Sequence, residues 1–484
     1  MTRPITRRFP DYGWAWPRGD LDQLLKAVML ADRDKALSLG LDWLARHDID
    51  DAEFREQRLL TALAERFGRQ LAPCPAYPRL VGLQRMLWSR SRLALRDTGE
   101  ALAMLHGAGI PFMLLKGAAR VAMEPGAQRG RVSHDIDILL ARTDMRAAFA
   151  LLLGAGWEAT SGAGAQRLTD LAETWRAVNL VRGEFGDIDI HRLAYHPTQA
   201  SAADDAGLWA RSVETQLAGT PARAPAPSDR IALAIAHGAL DAHAHSDWLC
   251  DIDACTRAGP VVWADLLATL KARQVLVPAA SALFYLAQEI GTPIPDDFLD
   301  ALIAAADRSG VGQRLTLLEC KPRSDFTALS AGARGLVKQI RLWSGKRTLG
   351  EQREPVHRAH VRKDRGDAGP GAAFSASLDV DAPHAGAAEI VIAVDLPRAQ
   401  RRIDWELAGP GGHIAVLRHR KLFRYAGRRL LAFRLELPAR DGPLTLTARP
   451  SRLMRGAQDA AEVERFGALP FRLVGISDRN SADD

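Results

Sequence analysis

The stretch RVSHDIDILLAR, residues 131–142, places two aspartates inside an apolar run. Its isoleucines and leucines are typical of a strand, where carboxylates are uncommon and costly to bury without a partner. Successive side chains of a strand point to opposite faces, so Asp135 and Asp137 share one face while Ile136 and Ile138 occupy the other. Because hard divalent cations prefer carboxylate oxygens, this spacing predicts a cation site rather than a misplaced charge pair.

A second stretch, GDIDIHRL at 186–193, repeats the pattern, with Asp187, Asp189 and His191 on one face of a strand. A third carboxylate on a neighbouring strand would complete a two-metal site for phosphoryl transfer. The alternative is a pair of edge strands with solvated polar faces, which is the favoured interpretation for a single Asp-x-Asp pattern. Two such strands within one small α/β unit favour the metal site, and we expect them to lie side by side.

Length and composition limit the class of protein that carries this site. A chain of 484 residues with 47% apolar and 25% charged residues is expected to form two or three globular domains. The net charge of +6 permits attraction to phosphates or nucleic acid without requiring it. The first residues lack the apolar segment of a secretory signal, and the four cysteines are scattered as reduced thiols would be. We therefore expect a cytoplasmic protein that does not associate with membranes.

The periodicity of apolar residues predicts an α+β fold: a small mixed α/β core flanked by helical segments, followed by an all-β, sandwich-like module at the C-terminus. The predicted boundaries are a helical region at 1–107, the α/β core at 108–220, a helical domain at 228–350 and a β-rich domain at 370–478. The proline- and alanine-rich stretch at 219–230 predicts a linker between the core and the second helical domain.

The stretch LLKGAARVAMEPGAQRGRVSHDIDILL, followed by GDIDIHRL, resembles the nucleotidyltransferases of the polymerase-beta-like superfamily. It is most similar to the branch of uncharacterised bacterial nucleotidyltransferases. The matching motifs are Leu115-Lys116-Gly117 after a strand, Arg131 before the Asp-x-Asp strand, and the later Asp189-x-His191. With its helical flanks the resemblance covers roughly residues 15–300.

The resemblance implies an enzyme that transfers a nucleoside monophosphate from an NTP, with ATP as the first choice, to a hydroxyl or phosphate acceptor and releases pyrophosphate. It assigns Asp135, Asp137 and Asp189 as the catalytic carboxylates and as the ligands of Mg²⁺ or Mn²⁺. Asp189 would also accept the proton of the acceptor hydroxyl. The acceptor stays open: a small molecule, a peptide, a protein or RNA.

The resemblance also assigns the nucleotide-binding residues, which are Lys116, Gly117, Arg131 and His191. Gly117-Ala118 departs from the Gly-Gly or Gly-Ser of the wider superfamily and lacks a hydroxyl that could contact the terminal phosphate. This departure favours an alternative function, a catalytically degenerate nucleotide- or peptide-binding accessory protein of a biosynthetic cluster.

Two further segments carry open alternatives. In AHGALDAHAHSDWLCDID, residues 236–253, His237, Trp248 and Asp251 match residues that are common in the same branch, and either pack or contact a substrate. The arginines of RHRKLFRYAGRR, residues 418–429, form either a solvated strand face or, with aromatic neighbours, a surface for nucleic acid.

Overall fold

The computed structural model describes residues 15–160, 168, 172, 176–196, 199, 205–241, 243–322 and 325–349, and beyond these only the backbone of strand segments between 360 and 478. The described chain falls into two units, of which the first contains the Asp-x-Asp stretch. Each unit is described by itself below.

Helices precede the sheet, as the spacing of apolar residues predicts. They are α1 (Asp20–Met29), α2 (Arg33–Arg46), α3 (Phe54–Phe67) and α4 (Tyr77–Gly107). Asp32 caps α2 by accepting the amide of Lys35 at 3.0 Å, which satisfies one of the free N–H groups of the first turn.

Seven strands of the described chain form one mixed sheet in the order β3-β4-β5-β2-β1-β7-β6. The strands are β1 (Phe112–Leu114), β2 (Ile136–Leu140), β3 (Glu158–Ala159), β4 (Ala177–Arg182), β5 (Gly186–His191), β6 (Val213–Leu217) and β7 (Thr220–Ala224). Helices α5 (Lys116–Met123), α6 (Met145–Gly154) and α7 (Ala206–Arg211) occur between them in the chain. This mixed architecture fits the predicted α+β class.

The two aspartate-bearing strands are direct neighbours. β2 pairs with β5 in parallel, and Asp137 lies opposite Asp189. All five residues of β2 are buried, while the isoleucines of β5 are buried and alternate with Asp189. The expected adjacency of the two stretches is therefore confirmed.

A long helical segment follows the sheet. Its helices are α8 (Pro227–Gly238), α9 (Asp247–Ala258), α10 (Trp263–Ala272), α11 (Leu276–Tyr285), α12 (Asp296–Asp307), α13 (Val311–Leu315), α14 (Leu317–Cys320) and α15 (Ala328–Leu349). Leu24 and Leu59 from the first helices share one hydrophobic core with Ile231 and Leu283 from this segment. Helices on both sides of the sheet in sequence thus belong to one packed body.

The linker predicted at 219–230 is wrong for most of its length. Thr220–Ala224 forms β7, which pairs antiparallel with β6 and contacts β1 through the pair Met113 and Arg223. Thr220 and Ala224 are buried, and this burial stabilises the strand although the segment is rich in proline and alanine. Strand formation depends on tertiary context more than on intrinsic preference.

The C-terminal strands belong to the second unit and form two antiparallel sheets, β13-β14-β10-β16 and β12-β11-β15-β9-β8. They are β8 (His360–Arg362), β9 (Phe374–Asp379), β10 (Gly386–Val394), β11 (Ile403–Gly409), β12 (Gly412–Arg418), β13 (Phe423–Tyr425), β14 (Arg428–Leu437), β15 (Leu444–Pro450) and β16 (Phe471–Asp478). The sandwich-like module and the four domain boundaries stay predictions. The side chains of 418–429 lie outside the described part, so the nucleic-acid surface stays a prediction too.

Candidate active site

Asp137, Asp189 and His191 form a compact cluster on β2 and β5. His191 Nε2 lies 2.9 Å from Asp137 Oδ1 and 3.0 Å from Asp189 Oδ2. One potential ligand atom from each residue lies within 4.8 Å of the other two. Asp137 and His191 are buried, and Asp189 is half-buried. The in-register pairing of the two strands thus brings two carboxylates and an imidazole to one point.

The surroundings of the cluster favour the ionised forms of Asp137 and His191. Burial alone would raise the pKa of Asp137, but the charge of Lys116 and the hydrogen bond from His191 hold it well below its usual range. Burial alone would lower the pKa of His191, but the charge of Asp189 and hydrogen bonds to both carboxylates raise it. His191 therefore places a proton between two carboxylates, while its buried Nδ1 has no hydrogen-bond partner within the residues that the structure describes.

Lys116 stands at the start of α5 and forms an ion pair with Asp137. Its φ of 46° lies in the left-handed region, which is uncommon for a residue other than glycine and indicates local backbone strain. The strand-to-helix turn thus directs a cation at the most buried carboxylate of the cluster.

Gly117 follows in a tightly packed position. A Cβ atom there would lie 3.3 Å from Arg131 Nη2 and 3.3 Å from Ser133 Oγ. Glycine therefore lets the first turn of α5 approach the segment that leads into β2. Its predicted contact with phosphates stays a prediction.

Asp135 precedes β2 and is more exposed than Asp137. Desolvation by the atoms around its carboxylate and the neighbouring charge of Asp137 raise the pKa of Asp135. Ser133 Oγ donates a hydrogen bond of 2.8 Å to the backbone carbonyl of Asp135 and stabilises the segment that leads into β2. Asp135 lies at the rim of the site, outside the compact cluster that Asp137 forms with β5.

Arg131 is buried and paired with two carboxylates from α9. Its Nη1 lies 2.6 Å from Asp247 Oδ2, and its Nε lies 2.9 Å from Asp251 Oδ1. Arg58 on α3 donates to Asp247 at 2.7 Å, and Arg120 on α5 donates to Asp251 at 2.9 Å. This charge network joins α3, α5 and α9 around the segment before β2. It gives Arg131 a structural role, and its role in nucleotide binding stays a prediction.

The pairing of Asp247 makes stability depend on pH. Burial alone would raise the pKa of Asp247, but Arg131 and Arg58 lower it to about 2. A lowered pKa adds stability above the unfolded value, and this contribution, about 2 kcal/mol, is lost as pH falls through the folded value. We expect the stability advantage of the wild type over Asp247→Asn to narrow by about 1 kcal/mol between about pH 5 and pH 3. Urea unfolding at both pH values measures it, and a constant difference would contradict it.

His237 and Trp248 are closely packed near the cluster. His237 Nε2 donates to the carbonyl of Ala194 at 2.8 Å, and burial lowers the pKa of His237 well below its usual value. A Cβ on Gly238 would lie 2.1 Å from the ring of Trp248. His237 thus has a hydrogen-bonding role and Asp251 an ion-pairing role, but both line the cavity together with Trp248, and a contact of this segment with a substrate stays a prediction.

A cavity of about 420 Å³ opens at the site. Of the predicted site residues, Lys116, Gly117, Arg131, Asp135 and Asp137 line it. Asp189 and His191 reach the same point through their contacts with Asp137. The sequence did not single out three further lining residues, Arg176, His196 and Lys338. Each is one basic residue among many in the sequence, and no motif surrounds it.

The donor atoms of the cluster fit a divalent cation. Two carboxylates and an imidazole can converge on one ion, which would replace the proton that His191 Nε2 shares with both carboxylates. Within the described residues this is the group of three such side chains that could hold a metal. Asp135, two residues before Asp137, would extend the oxygen donors toward the cavity.

Paired strands that carry acidic side chains beside a cavity define a candidate site for metal-assisted phosphoryl transfer. The model of a family described as uncharacterised nucleotidyltransferase matches residues 54–291, and this match supports the assignment of that segment to a nucleotidyltransferase family. No curated protein and no solved structure matches the chain. None of the described helices has the length and apolar character needed to cross a membrane.

Proposed function

We propose that the protein is a metal-dependent nucleotidyltransferase that uses an NTP, with ATP as the first candidate. It transfers the nucleoside monophosphate to a hydroxyl or phosphate acceptor and releases pyrophosphate. The observation that carries this proposal is the parallel pairing of β2 and β5, which sets Asp137 beside Asp189 at the cavity. The family of residues 54–291 supports the same reaction class.

The proposed transfer forms one bond to phosphorus and breaks another, and the chain supplies the group that takes the proton. An acceptor oxygen attacks the α-phosphorus, the bond from that phosphorus to the α,β-bridging oxygen breaks, and pyrophosphate leaves with the bonding electrons. Asp189 takes the proton of an acceptor hydroxyl, as a half-buried carboxylate beside the reacting group can do. Catalysis rests on positioning and on charge neutralisation.

Five of the seven predicted site residues have a place in this proposal. Asp135, Asp137 and Asp189 would hold Mg²⁺ or Mn²⁺, which would neutralise phosphate charge. Lys116 is partly exposed at the cavity and would contact a phosphate once a metal ion replaces it as the partner of Asp137. His191 would orient Asp137 and Asp189 through its contacts with both. The cytoplasmic location stays a prediction.

The test is incubation of the full-length protein with NTPs labelled at the α-phosphate, magnesium and a cell extract. We expect a labelled product together with pyrophosphate, and loss of both when EDTA removes the metal. Calorimetry with ATP and magnesium measures nucleotide binding in parallel. If no NTP binds in the presence of Mg²⁺ or Mn²⁺, the proposal is wrong.

A second candidate function is the accessory nucleotide- or peptide-binding protein. Gly117 is followed by Ala118, whose side chain is buried and carries no hydroxyl. The same experiment distinguishes the two functions, because tight binding of ATP without any labelled product in extracts would favour the accessory role.

A further inference from the structure

The cavity has a basic region besides its acidic one. Arg176, His196 and Lys338 line the same cavity as Asp135 and Asp137. Arg176 Nε is enclosed and has no hydrogen-bond partner among the described residues. Within the part of the chain that the structure describes, neither the Arg176 guanidinium nor the Lys338 ammonium forms an ion pair. Arg176 is half-buried, and a partly desolvated cation without an ion-pair partner costs free energy, so this arrangement favours the binding of an anion.

The other arginines of the cavity wall contrast with Arg176. Arg58 pairs with Asp247, Arg120 and Arg131 pair with Asp251, and Arg230 lies 3.3 Å from Glu124. Glu319, an acidic residue of the same wall, is paired with Arg341. Among the described residues, the charges of Arg176 and Lys338 thus have no ion-pair partner, whereas the charges of these neighbours are matched.

His196 indicates that these cations lie close together. Burial, followed by the charges of Arg176, Lys338 and Arg341, lowers the pKa of His196 to about 3. His196 is therefore neutral at physiological pH and supplies hydrogen-bonding capacity rather than charge. The full charge of the basic region comes from Arg176 and Lys338, which together match a dianion.

The backbone places Arg176 on the Asp189 side of the site. Arg176 directly precedes β4, and its carbonyl accepts the amide of Arg192, the residue after β5, at 2.7 Å. Lys116 forms its ion pair with Asp137 instead. Asp189 receives the acceptor proton in the proposed function, so Arg176 lies next to the strand that carries the acceptor-side carboxylate.

We propose that Arg176, His196 and Lys338 bind a phosphate monoester group of the acceptor, and that the acceptor is a phosphorylated small molecule. The assignment to the acceptor rests on the proposed function. Two cations and a neutral hydrogen-bonding imidazole suit a phosphate dianion, and a cavity of about 420 Å³ lies in the size range of small-molecule sites.

The first experiment measures binding of inorganic phosphate by calorimetry to the full-length protein saturated with magnesium and α,β-methylene ATP. We expect phosphate to bind beside the nucleotide, and Arg176→Gln to weaken this binding about tenfold or more. Lys338→Gln changes an exposed side chain that the fold tolerates, and it is expected to weaken phosphate about threefold or more. The matched control is Arg182→Gln at the other end of β4, which should leave phosphate binding unchanged.

The outcomes separate the inference from the proposed function. Absence of phosphate binding, or equal binding by wild type and both variants, overturns the inference while nucleotide binding is judged by itself. Phosphate binding that saturating nucleotide abolishes also overturns it, because the basic region would then hold the phosphates of the NTP. If phosphate binds and no NTP does, the proposed function fails and the assignment to an acceptor fails with it.

A second experiment addresses the acceptor directly. Small molecules from a cell extract are treated with alkaline phosphatase, the phosphatase is removed, and the mixture is offered with labelled NTP and magnesium. We expect incorporation of label to fall at least tenfold relative to a mock-treated mixture. Undiminished incorporation would show an acceptor without a phosphate monoester and overturn the inference.

Discussion

Asp137→Asn is expected to lower nucleotidyl transfer by about a thousandfold while the protein stays folded. Asp137 is the carboxylate on which the site converges, since both Lys116 and His191 contact its Oδ1. Asparagine keeps the shape and one hydrogen-bonding oxygen but removes the negative charge that a divalent cation requires. Transfer is measured as label incorporated into the product from an NTP labelled at the α-phosphate, and folding is measured by circular dichroism and thermal unfolding.

The matched control is Asp187→Asn on β5. Asp187 has the same side chain and lies two residues before Asp189, but it is outside the compact cluster of Asp137, Asp189 and His191. We expect this variant to retain transfer within about twofold, in line with the small effects of most substitutions outside such features. Wild-type activity in the double variant Asp135→Asn and Asp137→Asn would show that the chemistry takes place elsewhere.

The acidic residues of the site could be predicted from the sequence because their placement depends on local periodicity. A strand has a period of two, so Asp135 and Asp137 had to share a face, and the same argument applied to Asp189 and His191. A shared pattern of acidic and apolar residues in two stretches made their adjacency the natural expectation. The parallel register that sets Asp137 opposite Asp189 confirms it.

What the sequence could not supply is contact between residues far apart in the chain. Arg131 matched a motif for nucleotide binding, yet its side chain meets Asp247 and Asp251, more than a hundred residues later. The spacing of these two aspartates on one helical face was visible, but their partners were not. Arg176 carried no motif at all, and it is distinguished by its place in the cavity and by an enclosed Nε that has no hydrogen-bond partner in the described part of the chain.

Strand β7 shows the same limit for backbone structure. Proline and alanine between 219 and 230 are common in linkers, and composition alone contains no record of a neighbouring strand. β6 and β1 pair with Thr220–Ala224 on its two sides, and this pairing makes the segment a strand. Local composition therefore failed where tertiary pairing outweighed it.

Asp247→Asn is expected to lower the free energy of unfolding by about 3–5 kcal/mol, because it leaves buried guanidinium groups without their carboxylate. Arg58 Nη2 lies 2.5 Å and Arg131 Nη1 lies 2.6 Å from Asp247 Oδ2. Arg131 keeps Asp251, but Arg58 has no other ion pair within the described residues. Urea unfolding followed by tryptophan fluorescence measures the loss.

An exposed ion pair provides the control for this stability effect. Asp48 lies 3.1 Å from Arg79, with about half of each side chain exposed. Asp48→Asn retains the side-chain oxygen that caps the following turn, so we expect a change much smaller than that of Asp247→Asn. If Asp247→Asn proved as stable as this control, the charge network would add nothing to the fold. The apolar core shared by Leu59 and Ile231 would then hold the helices around the cavity by itself.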